Sequence, residues 1–239
     1  MVVNERVLVI VPAWNEEENV GRTVREILAT DARYDVVVVD DGSTDGTAAV
    51  ARAAGATVLP LPFNLGVGGA MKTGYTYALR HDYAQAIQVD ADGQHNPADI
   101  AEVLSGLAVA DISIGARFAT VGDYSVRGPR RWAMLFLAGV VSRVANARLT
   151  DVTSGFRAAN RRAIAQYVRY YPAEYLGDTI DSLVAGAHAG LIVTQVPVAM
   201  RPRVYGRPSQ GPVGSTIYLF RSVFALGLAL IRGPRKAHS

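Results

Sequence analysis

Five short apolar runs recur in the first half of the chain: RVLVIV (Arg6–Val11), VVVV (Val36–Val39), TVLP (Thr57–Pro60), AIQV (Ala86–Val89) and ISIG (Ile112–Gly115). They are mostly β-branched and hardly alternate with polar residues, which predicts strands buried on both faces. Helical patterns lie between them. Asn15 with Glu18 three residues on reads as a capping box at a helix start. Gly55 stands where a helix-terminating glycine belongs. Asn96 before Pro97 reads as an N-cap and first-turn proline, with Asp99 near the positive helix end. Strand and helix alternate, so the expected fold class is α/β, with a mostly parallel central sheet flanked by helices. No internal repeat or low-complexity linker interrupts the pattern.

The polar segments that close these runs carry the unusual residues. They read PAWNEE after the first strand, DDGSTDG after the second, PFNLGVGGAMKTG after the third and DADGQH after the fourth. In parallel sheets ligands bind beyond the carboxyl ends of the strands, so four consecutive loops of this kind form a site pattern. Asp90 and Asp92, two residues apart at a strand end, project to the same side if strand geometry continues. Two like charges so close favour a cation between them. Carboxylate oxygens suit a hard divalent ion, Mg²⁺ or Mn²⁺, that shares its remaining positions with substrate phosphates. Gly93 lets the chain turn close to a ligand.

Composition narrows the classes further. Half of the 239 residues are hydrophobic, enough for a sizeable core, and there is no cysteine. Disulfide scaffolds, thiolate metal sites and cysteine nucleophiles are therefore excluded. The first residues do not read as a signal peptide, and a cytoplasmic protein is expected. The net charge of +3 is unevenly spread: Asp181 is the last acid, and seven basic residues follow it. A second acid-free stretch, Arg127–Arg148, contains Arg130, Arg131 and Arg143. Such asymmetry points to an anionic partner, and arginine suits phosphate. Nucleic acid is not expected, because no reader motif accompanies the basic residues.

The segment IYLFRSVFALGLALI (Ile217–Ile231) is apolar but interrupted by Arg221, and it falls short of the ~20 residues that a spanning helix needs. With the basic residues that follow, it suits an amphipathic helix lying on an anionic leaflet. Arg130–Arg148 is similarly an apolar segment framed by arginines, for which packing as an ordinary helix is the alternative. The chain is accordingly divided into a domain of residues 1–212 and a membrane-associated helical tail of residues 213–239.

In their order along the chain, VPAWNEEENV, VVVVDDGSTDGT, NLGVGGAMKTG and DADGQH resemble family 2 glycosyltransferases of GT-A (Rossmann-like) fold. Within that family the dolichol- and polyprenyl-phosphate sugar synthases look most similar. The resemblance spans about Val7 to Arg207 and makes residues 1–212 the catalytic domain. It implies that Pro12, Ala13, Asn15 and Glu16 line a nucleotide pocket. Asp41 would accept a hydrogen bond from the base, with Asp40 beside it; a turn-and-cap role is the alternative for both, and Asp45 is expected to have that role. Lys72 would sit near the nucleotide or its phosphates, or else be solvated. Asp90 would face the nucleotide, and Asp90, Asp92 and Gln94 would hold the metal. Arg117 and Arg131 join Asp92 and Asp181 in the catalytic set. DVTSGFRAANR resembles the acceptor-side motif, so Ser154 and Gly155, with Arg130 and Arg201, are placed on the acceptor side, and Phe156 in the core.

The sequence departs from polymer-forming relatives in lacking their Glu-Asp base pair; EYLGDTIDSL offers Glu174, Asp178 and Asp181 instead. A sugar hydroxyl needs a positioned base, whereas a phosphate monoester is already ionised. The leading expectation is therefore a metal-dependent inverting transferase. It would move a sugar from a nucleoside diphosphate sugar to polyprenyl phosphate, peripherally on the inner face of the cell membrane, with a small integral membrane protein as anchor. The alternatives are transfer to a saccharide hydroxyl in wall or capsule assembly, and a non-catalytic nucleotide-sugar-binding scaffold. A dinucleotide oxidoreductase is disfavoured because Gly66, Gly68 and Gly69 do not spell its fingerprint and follow the wrong strand.

Overall fold

The computed structural model describes residues 6–116, 129–171 and 178–201. Seven strands form one sheet: β1 (Val7–Ala13), β2 (Tyr34–Asp40), β3 (Thr57–Pro60), β4 (Gln85–Gln88), β5 (Ile112–Ala116), β6 (Arg157–Asn160) and β7 (Val193–Pro197), in the order β3-β2-β1-β4-β6-β5-β7. Every neighbouring pair is parallel except those made by β6, which runs antiparallel between β4 and β5. The mostly parallel α/β sheet expected from the apolar runs is thus present, and all five predicted strands occur, β3 with the expected bounds and the other four with shifted ends. β6 and β7 were not anticipated.

Successive side chains of β1 and β2 alternate between two covered faces. Leu8, Ile10, Val37 and Val39 pack with α3 (Gly66–Arg80), α5 (Pro129–Ala145), α6 (Arg161–Arg169) and α7 (Asp178–His188). Val7, Val9, Val11, Val36 and Val38 pack with α1 (Val20–Thr30), α2 (Thr47–Ala53) and α4 (Ile100–Ser105). Burial on both sides is why these strands read as continuous apolar runs.

The helix ends follow local chemistry, with two corrections. Gly55 ends α2 at φ +102°: its N–H donates to the Arg52 carbonyl while the Ala56 N–H donates to that of Ala51, which is the Schellman pairing. Asn96 Oδ1 accepts the Ala98 N–H at 3.3 Å and caps a short 3-10 turn over Pro97–Asp99 that leads into α4. The capping box at Asn15 is not formed. α1 begins at Val20, and Asn15, in the left-handed region at φ 53°, turns its amide to another loop. The glycine run after β3 is not a loop either; it is the first turn of α3. Its free N–H groups find side-chain acceptors: Asn64 Oδ1 takes the Gly66 N–H at 2.9 Å and Asp41 Oδ1 takes the Leu65 N–H at 2.7 Å.

α5 buries Leu137, Ala138 and Val141 against the core and leaves Leu135 and Phe136 exposed. Among the described residues no helix is long and apolar enough to cross a membrane. The expected tail of residues 213–239, and the boundary at 212, lie outside the described residues.

Candidate active site

The carboxyl ends of β1, β2 and β4 lie side by side, and β6 adds its beginning to the same edge because it runs the other way. The first two loops are laced together. The Asn15 N–H donates to Ser43 Oγ and Asn15 Oδ1 accepts the Thr44 N–H, both at 2.9 Å. The Glu16 N–H donates to Thr47 Oγ1 at 2.8 Å, and Glu16 Oε2 accepts from Asn19 Nδ2 at 2.8 Å. Cross-loop partners of this kind displace the local capping box that the sequence suggested. Pro12 and Ala13 form the floor at the end of β1, half-buried and buried.

Asp40 and Asp41 are both buried at the end of β2. Asp40 Oδ1 accepts the Ser43 N–H at 3.1 Å, so Asp40 shapes its own turn. Asp41 reaches the start of α3. Burial pushes its carboxyl above the ordinary range, and the neighbouring Asp40 charge adds to this, while the Leu65 and Gly66 N–H groups pull it down. Asp45 has the expected turn role: Oδ1 accepts from the Thr47 N–H at 3.0 Å and from its hydroxyl. Burial raises its carboxyl, but these bonds together hold it below the usual range.

At the end of β4 the two aspartates differ. Asp92 is buried, with Oδ1 accepting the Gln94 N–H at 3.0 Å, whereas the Asp90 side chain is 40% exposed. Gly93 between Asp92 and Gln94 has φ +75°, the conformation for which glycine has no steric penalty. Asp90 is gripped by two residues for which the motifs implied no role. Gln88 Nε2 donates to its Oδ1 at 3.0 Å. Buried His95 accepts the Asp90 backbone N–H at Nδ1, 3.0 Å away, which leaves the ring proton on Nε2, 3.6 Å from Asp90 Oδ2. His95 stacks on Phe156 at 4.7 Å and 13°, and Phe156 is in the core as expected.

The 151–156 loop closes the other side. Asp151 Oδ1 accepts the Thr153 N–H at 3.1 Å, and Ser154 is buried with its Oγ accepting the Phe156 N–H at 3.3 Å. Gly155 lies against Asp90: a Cβ there would meet Gln88 Nε2 at 2.9 Å and the Asp90 carboxylate oxygens at 3.3 and 3.4 Å. The DADGQH and DVTSGFRAANR motifs of the sequence are therefore in contact. Arg157, which opens β6, is buried directly behind this loop. Its signal in the sequence is a lone arginine inside the otherwise uncharged SGFRAAN.

Three other expected site residues lie on helices or beyond the last strand. Lys72 is half-buried in the second turn of α3, and Asp181 half-buried in the first turn of α7. Arg201 donates to Glu26 of α1 at 2.6 Å and to Asn96 Oδ1, while its N–H donates to the Gln94 carbonyl at 2.9 Å. It therefore ties the chain beyond β7 to the turn that follows Asp92. Arg130 and Arg131 fall in the first turn of α5, with side chains outside what is described, and Arg117 and Glu174 lie outside the described residues altogether.

Among the described residues no three or more His, Cys, Asp or Glu side chains are gathered to hold a metal. Asp90 and Asp92, with the Gln94 amide, instead offer two carboxylates and one neutral oxygen. That donor set fits a hard divalent ion whose remaining ligands come from phosphates and water.

A family model described as Glycosyl transferase family 2 matches residues 8–168. Undecaprenyl-phosphate mannosyltransferase of Micrococcus luteus is 32% identical over 222 residues, which cover 89% of this chain and 91% of that protein. Polyprenol monophosphomannose synthase of Mycolicibacterium smegmatis is 30% identical over 212 residues, covering 84% and 80%. Among solved structures, glucosyl-3-phosphoglycerate synthase from Mycobacterium tuberculosis, in complex with Mn²⁺, uridine diphosphate and glucosyl-3-phosphoglycerate, is similar with a TM-score of 0.69. That match covers 94% of this chain and 79% of the other at 19% identity, a likeness of fold.

Proposed function

The chain belongs to glycosyl transferase family 2 and its fold is GT-A-like, and on that premise we propose that it transfers a sugar from a nucleoside diphosphate sugar to polyprenyl phosphate, with inversion at the anomeric carbon. The observation that supports this reading best is the contact of Gly155 with Asp90, which brings the 151–156 loop, read here as the acceptor side, against the aspartate read as donor-side. The two relatives, both named for mannosyl transfer to a polyprenyl lipid, supply the acceptor class and make mannose the first sugar to try.

In this reading the β1 and β2 loops hold the nucleoside, with Asp41 towards the base. Asp90 and Asp92 take the diphosphate side. Asp90, Asp92 and Gln94 would hold a Mg²⁺ or Mn²⁺, which would supply positive charge to the departing diphosphate. A phosphate oxygen of the acceptor forms the new bond to the anomeric carbon from the face opposite the breaking bond to the diphosphate, so configuration inverts. That oxygen carries no proton to remove, so no general base is required of Asp181. Arg117, Arg130 and Arg131 are assigned to the phosphates. Work at a membrane surface is supported by exposed Leu135 and Phe136, in a stretch where arginines occur and acids do not. The tail and a small membrane protein would complete the attachment on the cytoplasmic face. Transfer to a saccharide hydroxyl is the competing reading, with Asp181 as base.

The test is incubation with polyprenyl phosphate, divalent cation and a panel of labelled nucleotide sugars, followed by organic extraction. One donor should give a labelled lipid that mild acid releases. Label that stays aqueous for every donor, yet passes to a saccharide, overturns the lipid assignment.

A further inference from the structure

Arg157 is 4% exposed, and the described residues place no carboxylate within ion-pair distance of it. Its guanidinium nonetheless makes four hydrogen bonds. Nε donates to the Ser154 carbonyl at 2.7 Å and Nη2 to the Val152 carbonyl at 2.7 Å. Nη1 donates to the Thr179 carbonyl at 2.6 Å and to Ser182 Oγ at 3.3 Å. Two bonds go to the 151–156 loop, and two go to Thr179 and Ser182 at the start of α7, which also carries Asp181.

Stability alone is a poor reason for this arrangement. Desolvating a cation is costly, and a well-packed apolar residue in place of a buried ion is often neutral or better. A cation beside the amino end of α7 also sits at the unfavourable pole of that helix. Its charge is felt by two buried tyrosines. Burial pushes the Tyr167 hydroxyl up to about 12 and that of Tyr75 well above its ordinary value, against the opposing pull of the Arg157 charge. What the planar fork supplies, and no apolar side chain can, is a fixed set of donors joining two segments far apart in sequence.

We propose that Arg157 is the positioning residue of the acceptor wall: it locks the Val152–Gly155 loop to the start of α7, so that Gly155 stays against Asp90 while the α7 turn faces the incoming acceptor. This rests on the reading of the 151–156 loop as the acceptor side, but not on the identity of the acceptor. Arg157 touches neither substrate and acts through the loop.

The experiment compares Arg157→Met, which keeps bulk without donors, and Arg157→Lys, which keeps charge without the fork, in the full chain. Donor affinity is measured by calorimetry with nucleoside diphosphate and Mg²⁺, acceptor KM with polyprenyl phosphate, and amide exchange by mass spectrometry. Both variants should bind nucleoside diphosphate within about twofold of wild type and raise the acceptor KM about tenfold or more, the scale of lost charge-assisted bonds. Exchange should quicken over residues 152–156 and 179–183 and not over 13–17 or 40–47. If Arg157→Met does not fold, as circular dichroism would reveal, Arg157→Lys carries the test. An unchanged acceptor KM in folded Arg157→Lys, or an equal loss of donor affinity, overturns the proposal. If wild type makes no lipid product, the function proposed above fails instead, and the same comparison is made on the saccharide acceptor alongside the exchange data.

Discussion

Gly155 and Asp90 come from segments separated by more than sixty residues, yet a methyl group on Gly155 would stand 3.3 Å from the Asp90 Oδ1 atom. Their contact follows from β6 entering the sheet antiparallel beside β4, which brings the loop before β6 to the edge where β4 ends. Gly155→Ala should therefore displace the Asp90 carboxylate or the loop, at a cost of about 1–3 kcal/mol if neither yields. We expect a folded protein whose transfer rate falls about tenfold or more. Wild-type turnover in purified Gly155→Ala would show that the close approach has no functional meaning.

Asp92→Ala should leave the fold intact and reduce transfer to below about 1% of wild type, the scale of losing a charge-stabilising group. EDTA should have the same effect on the wild-type protein, and added Mg²⁺ or Mn²⁺ should reverse it. The check is initial rate against free metal concentration for both proteins; full activity in EDTA removes the metal from the mechanism.

The raised Asp41 carboxyl gives a pH signature. Its proton is held more tightly in the folded than in the unfolded chain. Between the ordinary carboxylate value and the raised one, the native state binds more protons, so stability falls as pH rises through that window. Asp41→Asn keeps an oxygen for the Leu65 N–H and lacks this loss. The Tm of the variant relative to wild type should thus climb with pH across the window and then level off. Its affinity for nucleoside diphosphate should be weaker if Asp41 accepts from the base. A Tm difference independent of pH would contradict the first point, and unchanged affinity the second.

Asp181 and Arg131 separate the two acceptors. With polyprenyl phosphate, Asp181→Asn should cost far less than the ~10²–10⁴-fold of a lost general base, while Arg131→Ala should cost more through its missing phosphate bond. With a saccharide hydroxyl the order reverses. The two variants, assayed side by side on both acceptors and verified folded by circular dichroism, should show the first order; a large loss in Asp181→Asn beside a mild Arg131→Ala would sink the lipid-phosphate reading.

What the sequence determined by itself is local. Val36–Val39 and Arg6–Val11 announce strands because both faces of the sheet are covered, and no polar partner interrupts them. Gly55, Asp45 and Asn96 announce turns and caps because the bonds they make close within a few residues. The placing of Asp90 and Asp92 at a strand end was legible for the same reason. Tertiary structure decided whatever depended on pairing over distance. β6 is four residues, RAAN, without a β-branched side chain, and it is a strand only because β4 and β5 supply partners on both sides. Asn15 offers its amide to Thr44 instead of to its own helix because parallel pairing of β1 and β2 sets the two loops together. The hold of Gln88 and His95 on Asp90, and that of Arg157 on two separate segments, require the finished fold: a hydrogen bond has no trace in sequence until the chain has brought its donor and acceptor to within 3 Å or so.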